Sequence, residues 1–218
     1  MGVDGCRGGW LAAVTDDAGT RWHWTADVAE LLAEPADAIA IDIPIGLPDA
    51  GTRACDVEAR RRLGARRSSV FAAPIRPVLG CPTYADARAL LASLGGASMS
   101  AQAFGLVRAV REVDEHVSPA EAGRVVEAHP ELAFQLLSGL GLAAKKTDEG
   151  RAQRVAALST VWPDAAALVA SAPRPAAPDD ALDALVCAWV ARRWVRGDAV
   201  VLGDGGRDAR GLPMRIVT

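Results

Sequence analysis

The sequence predicts an α/β fold: a short-stranded sheet at the amino end, helices through the rest, and one strand buried on both faces. Three observations carry this. Gly- and Asp-bounded stretches of strand character fill the first 25 residues. Residues 38–45, Ala-Ile-Ala-Ile-Asp-Ile-Pro-Ile, form an almost continuous apolar run, the pattern of a strand covered on both sides in a partly parallel sheet. Beyond residue 54 the apolar residues recur mostly at helical spacing.

Met1 to Asp4 reads as a very short first strand, followed by a Gly-rich turn over 5–9. Trp10 to Thr15 reads as the second strand and Thr20 to Trp24 as the third, completing an antiparallel meander. Ala26 to Ala33 has helical spacing, and the apolar run follows, with Pro44 expected to end its pairing. Residues from about 46 to 98 break the strand–helix rhythm and read as an Arg-rich helical insertion: a helix over Cys55 to Leu63, a loop from Gly64 to Pro77 and a helix over Asp86 to Leu94. Gln102 to Val117 is an amphipathic helix with Phe104, Val107, Val110 and Val113 inward. Val125 to Glu127 is a short strand leading into His129-Pro130 and a helix, and Thr147 to Ser159 is helical. A Pro-bounded linker over 173–178 delivers Asp179 and Asp180 to a final helix, Ala181 to Arg196, and residues 200–202 and 214–217 pair as a closing hairpin.

With 218 residues, the chain fits a single domain with a sizeable insertion. A net charge of −3 argues against a generic, charge-driven nucleic-acid binder, although a local Arg patch can still meet phosphate. Cys6, Cys55, Cys81 and Cys187 are scattered, with no C-x-x-C pair, so neither a zinc site nor a disulfide framework is expected. No signal peptide and no run of eighteen apolar residues is read, so no membrane partner is expected and a cytoplasmic location fits.

Asp42 stands inside the most apolar stretch of the chain, where a carboxylate is costly unless paired, hydrogen-bonded or bound to metal. Asp4 ends the first strand. If the two strands are parallel neighbours, both acids meet in the crevice at their carboxyl ends; the alternative is that each caps a turn. Asp180 and Asp183 are spaced i, i+3 on one side of a helix start, where acids commonly serve as caps or complement the helix dipole. Glu127, beside His129-Pro130-Glu131, either faces the same crevice or lies exposed at a strand–helix turn.

Together, GVDGCRGGW (2–10), IDIPIGLP (41–48), RRSSVFAAP (66–74), EAHPE (127–131), DDALDAL (179–185) and DARGLPM (208–214) resemble the DUF429 family, described as predicted ribonuclease H-like nucleases. The D-x-x-D-A helix of Asp180 to Ala184 is similar to that of RuvC-type resolvases. The resemblance implies a ribonuclease H-like fold, with a mixed five-stranded sheet ordered 3-2-1-4-5 and a helical insertion after strand 4. It implies a divalent-metal-dependent nuclease whose carboxylates (Asp4, Asp42, Asp183, with Asp180 and Glu127) serve catalysis. Hard oxygen ligands favour Mg²⁺ or Mn²⁺. In a two-ion arrangement about 4 Å apart, Asp4 bridges, Asp42 holds one ion, and Asp183, with or without Asp180, holds the other.

Arg53, Arg60, Arg61, Arg62, Arg66, Arg67 and Arg76 cluster within the insertion. Arg pairs with phosphate bidentately, which makes Arg66, Arg67, Ser68 and Ser69 the substrate-binding candidates, against a plain solvated helix face. Lys145 and Lys146, the only lysines, are a second candidate contact. The expected partner is a nucleic acid or nucleotide, and a homodimer is compatible with the reading. The competing readings are a non-catalytic nucleic-acid or nucleotide binding module of the same fold and a small-phosphate hydrolase. A sugar-kinase-like ATPase fits poorly, because the chain is short for a doubled domain and carries no phosphate-binding G-x-x-x-x-G-K-[ST].

Overall fold

A computed structural model describes residues 1–95 and 98–218; residues 96 and 97, inside the expected insertion, lie outside the described residues. In chain order the elements are β1 (Gly2–Cys6), β2 (Gly9–Asp16), β3 (Gly19–Thr25), α1 (Val28–Leu32), β4 (Ile39–Ile41), α2 (Ala54–Leu63), α3 (Tyr84–Ser93), α4 (Ala101–Gly105), α5 (Val107–His116), β5 (Val125–Glu127), α6 (Pro130–Ser138), α7 (Asp148–Ser159), α8 (Ala165–Ala170), α9 (Pro178–Arg196), β6 (Val201–Leu202) and β7 (Ile216–Val217). They group into two compact units, one of Met1–Ile43, Gly123–Val200 and Val217–Thr218, the other of Pro44–Ala122 and Val201–Ile216. The segment expected as an insertion falls in the second.

The first unit is built on a mixed five-stranded sheet, order β3-β2-β1-β4-β5, flanked by helices. The pairs β1–β2 and β2–β3 are antiparallel, while β1–β4 and β4–β5 are parallel. Gly2 and Asp4 lie on one face of β1, and α9 packs against that face. Leu11, Ala13, Ala40, Val126 and Ala128 share the face and join a core with Ala181, Ala184, Leu185 and Ala188 of α9. The approach is very close at Gly2, where an added Cβ would stand 1.9 Å from the Ala188 nitrogen and 2.2 Å from the Ala184 oxygen.

The second unit has its own small core of Ile75, Val78, Ala87, Leu91 and Val107. Arg53 is buried and donates from Nη2 to Asp56 at 2.6 Å and from Nη1 to the Ile45 carbonyl at 3.1 Å; Asp56 also accepts from the Ala73 N–H. Breaking such a buried pair from one side costs about 3–5 kcal/mol. Asp208 accepts the backbone N–H groups of Leu47, Arg210 and Leu212, and pairs with Arg76, which also holds Asp114 at 2.6 Å. The strings IDIPIGLP and DARGLPM thus meet through Leu47 and Asp208.

Several boundaries differ from the sequence expectation. β1 continues through Cys6, because Gly5 and Cys6 pair with Trp10 and Gly9 in the hairpin. β4 ends at Ile41, ahead of Pro44, where its pairing was expected to stop: Gly46 turns the chain at φ +75°, and the Ile45 and Gly46 carbonyls are taken by Arg53. The expected helix over 102–117 divides into α4 and α5, with the Leu106 N–H bonding back to Ala103 at the junction beside Gly105. The expected 64–77 loop contains a 3₁₀ turn over Gly64–Ser69 and runs into a second over Arg76–Gly80. α9 starts at Pro178, a residue suited to the first helical position. β6 and β7 pair as expected of the closing hairpin.

Gly2→Ala should lower stability by about 3 kcal/mol, because the methyl group meets helix backbone that cannot move aside as a side chain would. Urea denaturation of the variant beside wild type checks this; an unchanged midpoint would contradict the close approach of α9 to β1.

Candidate functional site

The acids gather through register and helix phase. Because β1 and β4 run parallel with Val3 opposite Ile41, the next position places Asp4 beside Asp42, and the Asp42 N–H donates to the Val3 carbonyl at 3.0 Å. Asp4 is buried and Asp42 keeps partial access to solvent. Asp183 lies one turn into α9 and is buried. Asp180 reaches back to accept the Ala177 N–H at 2.8 Å, capping the helix start.

The electrostatics show the same convergence. Burial, then the charges of Asp183, Asp42 and Asp180, hold the Asp4 carboxyl well above the usual range. Burial, Asp183, Glu127 and Glu131 do the same to Asp42. Asp183 is pushed up to about 6 by burial, despite the opposing effect of Lys145. Cys187, on the next turn of α9, is raised by burial and by the same three acids. Asp180 is raised by burial, against the lowering effect of its bond to Ala177.

Glu127 is placed differently from the other acids. It is level with Ile41 in the β4–β5 register, so strand alternation sends its side chain to the face opposite Asp4 and Asp42, where it is buried. Its charge still raises Asp42. Glu131 is paired through both oxygens with Arg154, each at 2.8 Å. His129 caps α6, its Nδ1 accepting the Leu132 N–H at 3.4 Å.

Among the substrate-binding candidates, Arg66, Arg67, Ser68 and Ser69 all lie on the 3₁₀ turn of the second unit. Arg67 and Ser68 are exposed, Arg66 is half-buried, and the Ser69 hydroxyl donates to the Arg66 carbonyl at 2.8 Å. Much of the surrounding Arg cluster is engaged: Arg53 with Asp56, Arg60 with the Val70 carbonyl, Arg62 with Glu58 and Arg76 with two aspartates. Lys145 belongs to the first unit, and its ammonium sits 3.0 Å from Asp183 Oδ2. Burial alone would lower the Lys145 ammonium, but Asp183, Asp4 and Asp42 outweigh it and raise it above the ordinary value.

The Lys145–Asp183 and Arg154–Glu131 pairs were not read as pairs from the sequence. One signal was present: against 22 arginines the chain has only two lysines, so a lysine is a departure from its usual cation. Among the described residues, no group of three or more His, Cys, Asp or Glu side chains is arranged to hold a metal ion, and no helix is long and apolar enough to cross a membrane. The four cysteines are free thiols.

A protein family described as a protein of unknown function (DUF429) matches residues 2–206. That span includes all the quoted strings except DARGLPM, which begins at Asp208. No curated protein and no solved structure matches the chain.

An acid whose pKa is raised by folding favours the folded state most at low pH. That advantage is lost as pH climbs from the unfolded value through the folded one. For Asp183 the window runs from 3.8 to about 6; for Asp4 the loss also begins near 3.8 and extends well above it. In EDTA, Asp4→Asn should therefore match wild type at pH 4 and melt about 3 °C or more higher at pH 8. Thermal unfolding across that range measures the difference, and a lower melting point at pH 8 would contradict the charge crowding.

Proposed function

The chain belongs to the DUF429 family, and from that premise we propose that it is a ribonuclease H-like, divalent-metal-dependent phosphodiester hydrolase acting on a nucleic acid or nucleotide. The observation that carries the reading is the placement of Asp4 and Asp42 at the carboxyl ends of adjacent parallel strands, with Asp183 of α9 close enough to raise both. Buried like charges oppose folding unless a cation answers them, and proteins keep such arrangements at functional sites.

The donor set fits Mg²⁺ or Mn²⁺. Mg²⁺ is commonly held by one or two carboxylates, with water and substrate phosphate completing its shell. Asp4 and Asp42 supply that pair, and no third protein ligand is required of the chain. Bound there, the ion would supply Lewis-acid stabilisation of charge developing on phosphoryl oxygens and ease deprotonation of an attacking water. Asp4 and Asp42 fix the position of the centre through their strands, and Asp183 keeps a negative charge beside them. Asp180 holds the first turn of α9, from which Asp183 projects. Glu127 acts on Asp42 through its charge from the far face of the sheet. Arg66, Arg67, Ser68 and Ser69 carry donors suited to a phosphate backbone.

A screen supplemented with Mn²⁺ over single- and double-stranded DNA, RNA, branched junctions and small phosphate esters tests the proposal. Wild type should cleave at least one class, and Asp4→Asn and Asp42→Asn should each lose about 100-fold or more, since even a residue that only supports a metal ligand commonly costs about 10–100-fold when replaced. Equal activity in all three proteins would remove the mechanism, and cleavage confined to small esters would favour a small-phosphate hydrolase.

A further inference from the structure

The loop that carries Lys145 is fastened on both sides. Before it, the Ala143 N–H donates to Gln153 Oε1 at 2.7 Å, and the Ala143 carbonyl accepts from Arg154 Nη1 at 3.0 Å. At its other side, the Thr147 N–H and hydroxyl both donate to the Ala144 carbonyl, at 3.0 and 2.8 Å. Arg154 is fully buried; it also donates to the Gly150 carbonyl at 2.8 Å and to both oxygens of Glu131. Gly150 lets the loop press on α7, since a Cβ there would stand 2.1 Å from the Ala144 oxygen. From this fastened peptide the Lys145 ammonium reaches Asp183, whose side chain is only 6% exposed.

We propose that Lys145 is the fixed cation of the acid cluster, occupying the place a second metal ion would take, so that the site holds a single divalent ion on Asp4 and Asp42 while Asp183 is committed to the lysine. This rests on the reading of the cluster as a divalent-ion centre and replaces the two-ion arrangement with one ion and one ammonium. The residue type suits the role. A lysine ammonium is a compact point charge, whereas an arginine fork is shaped to span two acceptors. One hydrogen bond to Asp183 leaves donor capacity on the ammonium, and with 43% of its side chain exposed, Lys145 can meet a phosphate oxygen of the substrate. The chain of contacts also gives Glu131 of the EAHPE string a purpose: through Arg154 it positions the loop that delivers the charge.

Mn²⁺ binding, followed by electron paramagnetic resonance and calorimetry at pH 7.5, tests the inference without requiring a substrate. Wild type should bind one Mn²⁺ per chain, Lys145→Ala should bind two, and Lys145→Arg, which retains a cation, should bind one. Lys145→Gln serves as a second neutral variant should the alanine protein fail to fold, and it should also bind two. Two ions in wild type, or one in both wild type and the neutral variants, would overturn the inference and leave the metal-centre reading standing. No binding that depends on Asp4 in any of the proteins would remove that reading and the inference with it.

Discussion

The distance between α9 and β1 is the constraint on which the acid cluster depends. At Gly2 the helix backbone lies where a side chain would otherwise be, and the helix presents Ala184 and Ala188 to that contact, both fully buried. Small residues on both partners let the two backbones approach. Asp4 lies two residues along the same strand face, and Asp183 lies one residue before Ala184, so the packing that joins helix to sheet also brings their carboxyl groups together. Had Gly2 carried a side chain, the helix would stand further off, and Asp183 would no longer press its charge on the strand acids.

Crowded acids need an answering charge, and in the first unit it comes from a loop instead of a regular element. Lys145 supplies it directly, while the Arg154–Glu131 pair supports the peptide behind it. The fold thus contains two charge pairs of different kinds in sequence. One is buried and bidentate, and fixes backbone; the other is half exposed, and neutralises. Removing either would leave a carboxylate in a poorly hydrated place, which is far more costly than never having placed it there.

Much of the sheet was legible in the sequence, because Gly- and Asp-bounded alternation and an apolar run are local signals. The meander and the short strand over Val125–Glu127 follow from them directly, and the order β3-β2-β1-β4-β5 agrees with what the family resemblance implied. The end of β4 was legible only roughly: Pro44 marks a stop, but pairing already ceases at Ile41, and the Gly46 turn and the Arg53 bonds to carbonyls, which shape the segment that follows, lie outside the apolar run. Glu127 illustrates a second limit. A sequence places it at a strand end but cannot fix register, and one step of register decides which face it occupies. Asp180 shows a third: the i, i+3 spacing with Asp183 leaves open which of the two serves the cluster, and only the cap geometry assigns Asp180 the Ala177 N–H while its charge still reaches Asp4. In the Arg-rich segment the sequence sets phosphate contact against a solvated face, and it cannot show the third outcome, that Asp56, Asp114 and Asp208 claim Arg53 and Arg76.

The two charge pairs respond differently to the ions in solution. Mobile ions within a Debye length of about 8 Å at physiological strength weaken attractions open to water and scarcely reach those sealed from it. The Lys145–Asp183 contact has one side open to solvent, and the Arg154–Glu131 contact has almost none. Raising the salt therefore loosens the ammonium from its aspartate while the loop stays where Arg154 holds it. The geometry survives and the local field fades, a separation of shape from charge that a site built entirely of buried pairs would not permit.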